Sequence, residues 1–299
     1  QVVINPDRTE DALKANAAGL LSNAAALTAL GWNPEKDKMD GAYVDILEVA
    51  GPGLASQKPE GVDMLAGTLR EHTLWRTLAR TYGLRMAITE EAMEDGKYKE
   101  GVKLARRLKR AMFKTQDIDM TNILVRGWNT DYPGGDAVPL FSTAHTLGGG
   151  GTFSNTFATP PAASRQAVLL ARAAVRKLPS QDGVTEGYML ESVVCPVDQE
   201  SIWEGILQSE KVPESNFNEV NVVKGLKLGR TPIAIPYWQN TATNFCFRTS
   251  ADGAPTFYTR RAPRSRTWVN ESQEVMHYGI SARWAKQWTD ARSMYGSQA

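Results

Sequence analysis

The feature that most constrains this chain is the run from Tyr98 to Gly127. Leu104, Leu108, Ala111, Thr115, Ile118, Asn122 and Val125 step by four and three, which lays them on one helical stripe. Val102, Ala105 and Met112 widen it. Thr89 is placed to cap a preceding turn, with Glu90 and Glu91 at the positive end of its dipole. Gly96 breaks or bends those first turns, and Gly127 stops the run. About thirty residues at ~1.5 Å each give a rod of roughly 45 Å. A globular domain of ordinary size has no use for so long a helix, so its ends must meet something else.

The opposite face of the rod is basic. Lys97, Lys99, Lys103, Arg106, Arg107, Lys109, Arg110 and Lys114 stand against a single acid, Glu100. Such a face is either solvated or turned to an acidic partner, another subunit or nucleic-acid phosphate.

Two flanking segments also look for neighbours. Residues 1–40 form an alanine-rich arm, partly helical, whose apolar face (Leu13, Ala17, Leu20, Leu21) is too thin to build a core. Residues 41–88 read as a long hairpin. "AYVDILEVA" goes out, a Gly/Pro-rich stretch carrying Lys58 turns, and "TLWRTLARTYGLRMAIT" returns as a strand. Long hairpins leave unpaired edges that a partner must cover.

After a loop over 128–163, the pattern mixes helices and short strands. "SRQAVLLARAAVRKL" is an amphipathic helix capped by Ser164, and "YMLESVVCPV" is a strand. "DQESIWEGILQS" is a helix with Asp198 as cap. "EVNVVKG", "LGRTPIAIPYW", "NFCFRTS" and "PTFYTRR" read as strands, and the final "TWVNESQEVMHYGISARWAKQWTD" begins as one. Without a regular βαβ alternation or any internal repeat, the class is α+β.

Composition closes off several functions. The net charge of +1 gives no global pull on nucleic acid, so any such signal is local. Two cysteines, Cys195 and Cys246, sit in apolar runs and read as buried inert thiols in a reducing compartment. No apolar stretch reaches the ~20 residues of a membrane span. Gln1 in place of Met fits either a maturation cut or a removed initiator.

The stretch that invites a catalytic reading is "LFSTAHTLGGGGTFSN", residues 140–155. Ser142 and His145 are three apart, yet a nucleophile elbow needs flanking glycines that "FSTAH" lacks. No lysine follows Gly148–Gly151, so this is no Walker loop. His72, His145 and His277 are scattered, and no metal-ligand spacing occurs. No catalytic group, cofactor or metal is therefore expected, with a Ser142/His145 hydrolase as the remote alternative. The late tryptophans Trp268, Trp284 and Trp288 read as core or subunit-interface anchors. The loop itself becomes a chain reversal with Gly149 and Gly150 as a hinge between lobes.

The order of segments carries a resemblance. "GLRMAITEEAMEDGKYKEGVKLARRLKRAMFKTQDIDMTNIL", then "PLFSTAHTLGGGGTFSN", then "VVCPVDQESIWEGILQSEKVPESNFNEVNVVKGLKLGRTPIAIPYW", then "YGISARWAKQWTDARSMYG" resemble tailed-bacteriophage major capsid proteins of the Hong Kong 97-type fold. The Mu-like head subunits look most similar. The resemblance implies an N-terminal arm over 1–40 and an extended loop with flanking strands over 41–88. It implies a peripheral domain with a spine helix over 89–159, an axial domain over 160–262, and a return to the peripheral domain over 263–299. It further implies pentamers and hexamers that self-assemble into an icosahedral shell around double-stranded DNA. The protein would then be made in the bacterial host cytoplasm and end in the virion. Portal, scaffold and decoration proteins would be further partners, and no membrane would be one. An encapsulin-type nanocompartment shell is the alternative on the same fold. Candidate assembly residues are Lys58, Arg106, Arg107, Lys109, Arg110, Gly149, Gly150 and Trp284. Some relatives crosslink through a Lys–Asn bond. Lys58 offers an amine for one, but no acceptor stands out.

Overall fold

The computed structural model describes residues 38–298 apart from 52, 53, 56, 59, 62, 65, 66, 68, 69, 95–97, 212–219, 227 and 239–242, and only the backbone of 70, 93, 94, 98–102, 104 and 105. The expected arm helix (Leu13 to Leu21) and the break at Gly96 lie outside the described residues, as does Lys97.

In chain order the strands are β1 (Tyr43–Ala50), β2 (Arg70–Leu78), β3 (Arg80–Thr89), β4 (His145–Thr146), β5 (Thr152–Phe153), β6 (Leu190–Pro196), β7 (Ile233–Ile235), β8 (Phe245–Thr249), β9 (Thr256–Asn270), β10 (Val275–Gln287) and β11 (Met294–Ser297). The α-helices are α1 (Glu90–Glu94), α2 (Tyr98–Val125), α3 (Arg165–Val175) and α4 (Glu200–Gln208). Two compact units divide them. Unit 1 holds residues 1–43, 77–120 and 257–286, and unit 2 holds 44–76, 121–256 and 287–299.

In unit 1 the sheet order is β3-β10-β9. β10 runs antiparallel to β3, from Val275 opposite Thr89 to Trp284 opposite Arg80. Tyr82 and Trp284 stack nearly parallel, 3.9 Å between ring centres, and Phe257 stacks on Trp284 from 5.8 Å. The long helix is as expected, but its buried stripe is not. Leu108, Met112, Gln116, Met120 and Leu124 are buried, whereas Thr115 and Ile118 are exposed. A strict step of four selects the face with the larger side chains, two methionines and two leucines, over the Ala/Thr/Asn face. Thr115 instead bonds back to Ala111 O at 2.9 Å.

In unit 2 the sheet order is β11-β8-β6-β7, with β6 and β7 parallel and the other pairs antiparallel. Trp203 of α4 packs edge-on against Phe245 and Phe247 of β8. The apolar run of β6 is buried on both faces, Cys195 included. Burial pushes the Cys195 thiol up to about 12 and the Cys246 thiol well above its ordinary value, as inert thiols require.

Ser164 caps α3 as expected, accepting from Ala167 N at 3.2 Å. Three other expectations change. The returning strand of the hairpin is two strands: β2 pairs with β1, while β3 joins β10. Asp198 does not cap α4; a 3-10 turn over Val197–Gln199 leads in, and Gln199 accepts the Trp203 indole N–H at 3.1 Å. "EVNVVKG" holds a 3-10 turn, Val222–Gly225, rather than a strand. Asn221 explains this. Its Oδ1 caps Val223 N at 3.1 Å, and its Nδ2 donates to Ile206 O and Ser209 O at the end of α4, at 2.7 and 3.0 Å. Among the described residues no helix is long and apolar enough to cross a membrane.

Candidate functional site

The glycine-rich stretch is a small hairpin. His145 and Thr146 pair with Phe153 and Thr152, and the turn closes by Leu147 N to Gly151 O and Gly150 N to Leu147 O, at 3.1 and 3.0 Å. Gly150 and Gly151 have φ of 95° and 94°, the left-handed region that side chains avoid. Gly149 serves a different need: a Cβ there would lie 3.3 Å from Gln181 O, to which its own N–H donates at 2.9 Å. Gly148 N donates to Gln181 Oε1, also at 2.9 Å. The turn is thus docked on the residues around Gln181. Gly149 and Gly150 both fall within unit 2.

His145 is 1% exposed and both ring nitrogens are engaged. Nδ1 meets Asp136 Oδ2 at 2.6 Å and Nε2 meets Leu140 O at 3.2 Å. A carbonyl only accepts, so Nε2 carries a proton and is no general base. Ser142 Oγ accepts from Ala144 N at 3.2 Å, a local turn bond. The geometry therefore gives Ser142 no base in His145, and the hydrolase reading lacks its central contact. Phe153 stacks on the imidazole at 5.1 Å and Trp288 meets it edge-on at 6.1 Å.

Asn155 is fully buried and ties this loop to the C-terminal segment. Its Nδ2 contacts Leu140 O, Ala291 O and Met294 O at 2.7, 2.9 and 3.2 Å, while its Oδ1 accepts from Ser142 N at 2.9 Å. Arg292, 1% exposed, lies over the Phe153 ring at 4.2 Å, donates to Pro179 O at 2.5 Å, and pairs with Asp290 at 3.0 Å and Glu48 at 3.7 Å. Gln181 Nε2 also donates to Glu48. Burial raises the Glu48 and Asp290 carboxyls above their ordinary values, outweighing the guanidinium. Asn155 and Arg292 reach backbone groups of other segments, and the rest of the contacts join side chain to side chain within the cluster. The cluster is architectural.

The assembly candidates are scattered. Lys58 is exposed beyond β1, and Arg106, Arg107 and Arg110 are exposed on α2. Lys109 is half-buried, and burial draws its ammonium below the ordinary lysine value. Trp284 is inside unit 1, 1% exposed, rather than on its surface. Sequence reasoning missed Asp136, Asn155 and Arg292. Only Asn155 lay in the stretch under suspicion, and nothing in its neighbours marks it.

The β1–β2 hairpin carries the most conspicuous surface. Tyr43, Leu47 and Val49 alternate along one strand and Leu74 and Leu78 along the other, all exposed. Asp45 and Arg76 form a two-pronged pair between them, at 2.7 and 2.5 Å.

Among the described residues these polar clusters close on themselves, while β1 and β2 expose an apolar face and α2 a basic one. The chain belongs to the phage capsid protein family, whose profile matches residues 77–296. No curated protein sequence matches it. Solved structures share its fold. One from Microbacterium phage Oxtober96 superposes with a TM-score of 0.54 at 11% identity, covering 92% of this chain and 90% of that one. Structures from Mycobacterium phages Bobi and Che8 reach 0.51, at 12% and 11% identity, covering 87% and 86% of this chain and 86% and 84% of theirs. The fold is the Hong Kong 97-type α+β capsid fold, and the protein is a structural major capsid protein.

Proposed function

We propose that this subunit builds pentamers and hexamers that close into an icosahedral shell around double-stranded DNA, and that it belongs with the Mu-like head subunits. Assembly takes place in the host cytoplasm, with portal, scaffold and decoration proteins as further partners, and the chain performs no catalysis. Residues 89–159, which hold α2, and residues 263–299 correspond to the peripheral domain. Residues 160–262 correspond to the axial domain. Residues 41–88 correspond to the extended loop and its flanking strands, with Lys58 near the loop's far end.

The carrying observation is the exposed face of β1–β2, with Leu78 63%, Leu74 53% and Tyr43 50% exposed. Five large apolar side chains on a two-stranded ribbon are unfavourable in water and suit a neighbour's surface. Each such contact is modest, and many repeated contacts together hold a shell. The near-zero charge of the subunit suits a lining that holds DNA without adhering to it.

Expression of the full chain followed by negative-stain electron microscopy tests this reading. Closed particles of uniform diameter are expected, and particles from infected cells should hold DNA. A cargo enzyme in place of DNA would favour the nanocompartment alternative. A chain that stays monomeric under every assembly condition would overturn the shell reading.

A further inference from the structure

Unit 2 carries two like-charged pairs of opposite sign with matching spacing. Arg172, in the last turn of α3, and Arg176, its C-cap, stand one turn apart. Neither guanidinium has an ion-pair partner among the described residues. They line a cavity of about 220 Å³ whose other walls are Met189, Leu190, Gly225, Leu226 and Leu228. Glu200 and Glu204 stand one turn apart on α4, also without an ion-pair partner among the described residues. Like charges at that separation repel along a helix, so each pair slightly destabilises its own helix.

The apolar parts match as well. Val197, in the 3-10 turn that leads into α4, is 46% exposed. Val197, Glu200 and Glu204 follow one another by three and four, so they share a face. That face is an apolar knob beside two acids. The α3 site is an apolar hollow beside two cations, with Met189 half exposed at its rim.

We propose that the Val197–Glu200–Glu204 edge of one copy docks on the Arg172–Arg176 cavity of the next copy, with Val197 entering the hollow and the two glutamates pairing with the two arginines. The proposal rests on the shell reading above. The contact is head-to-tail, because each copy offers one knob and one hollow, and head-to-tail contacts make rings when the rotation between copies closes. The opposed charges also fix the register: a shift of one turn leaves one charge of each pair unmatched.

Two double variants of the full chain test it. Arg172→Glu with Arg176→Glu, and Glu200→Arg with Glu204→Arg, each place like charges across the contact. Each should cut particle yield by about tenfold or more, while circular dichroism shows the subunits folded. Combining all four substitutions restores complementarity and should bring yield back to within about threefold of the unaltered chain. An equimolar mixture of the two doubles can alternate around six positions but not around five. It should form hexameric rings without closed shells.

Doubles that assemble like the unaltered chain would overturn the contact and leave the shell reading intact. So would folded doubles that fail while the quadruple variant and the mixture fail with them. An unaltered chain that forms neither rings nor particles would overturn the shell reading, and this contact with it.

Discussion

Asp119 on the long helix accepts the indole N–H of Trp284 on β10 at 2.9 Å. The same carboxylate takes the Tyr82 hydroxyl at 3.2 Å and the Lys286 ammonium at 2.6 Å. One acid thus satisfies a donor from β3 and two from β10, under a Tyr82–Trp284 stack. Its charge and burial hold the Tyr82 hydroxyl above its ordinary value, burial being the larger cause. Asp119→Leu strands these donors, and should destabilise unit 1 by about 3 kcal/mol. Trp284→Phe removes one donor and should cost about 1 kcal/mol. Denaturant unfolding followed by tryptophan fluorescence for the first variant, and by circular dichroism for both, measures the difference.

Asp117, two residues earlier, has a different environment. Burial pushes its carboxyl up to about 6 from 3.8. The folded state then holds that proton more tightly than the unfolded chain does. Its contribution is most favourable below the unfolded value and is lost as pH rises through about 6. Stability should decline over that window, and Asp117→Asn should flatten the decline. Unfolding midpoints at about pH 4 and about pH 7 for both proteins decide it. An unchanged slope in the variant would refute the assignment.

Asn155 has no exposed atom and four polar partners. Asn155→Leu keeps the volume but leaves three carbonyls and one N–H buried without that side chain. A loss on the order of 3 kcal/mol is expected. Hydrogen exchange should quicken around Ser142, because its N–H loses its acceptor. A stable variant with unchanged exchange at Ser142 would contradict this account.

The basic face of α2 is exposed at Arg106, Arg107 and Arg110. Reversing all three to Glu should leave particles assembled but weaken DNA retention. The salt dependence of retention should fall by roughly 0.9 per phosphate contact removed. Failed assembly would place this face between subunits instead. Unchanged retention would leave it a solvated surface.

The long-period features were legible in the sequence. The helix limits followed from apolar stepping between Tyr98 and Gly127, and the Ser164 cap from its place before an apolar run. The helix face was harder, because two neighbouring stripes both fit the period and only side-chain size chose between them. "EVNVVKG" alternates like a strand, yet Asn221 bonds to the end of α4, a contact 12 and 15 residues back in the chain that no alternation pattern announces. The buried polar lock was illegible for a related reason. Asn155 and its partner Ala291 are 136 residues apart, and no spacing rule spans such a distance. The hairpin's division between two sheets was hidden likewise, since β3 pairs with β10 nearly two hundred residues downstream.

The edge strand β11 ends at Ser297, whose hydroxyl donates to Pro161 O at 3.0 Å. β11 also supplies the Met294 carbonyl that Asn155 takes up. A nascent chain cannot complete the sheet of unit 2 until this strand has left the ribosome. Every earlier translation product lacks the lock and the sheet edge together. A chain interrupted before β11 is therefore a different physical object: its unit 2 sheet ends at β8 with that edge unpaired, and Asn155 keeps a buried amide with fewer carbonyls to meet.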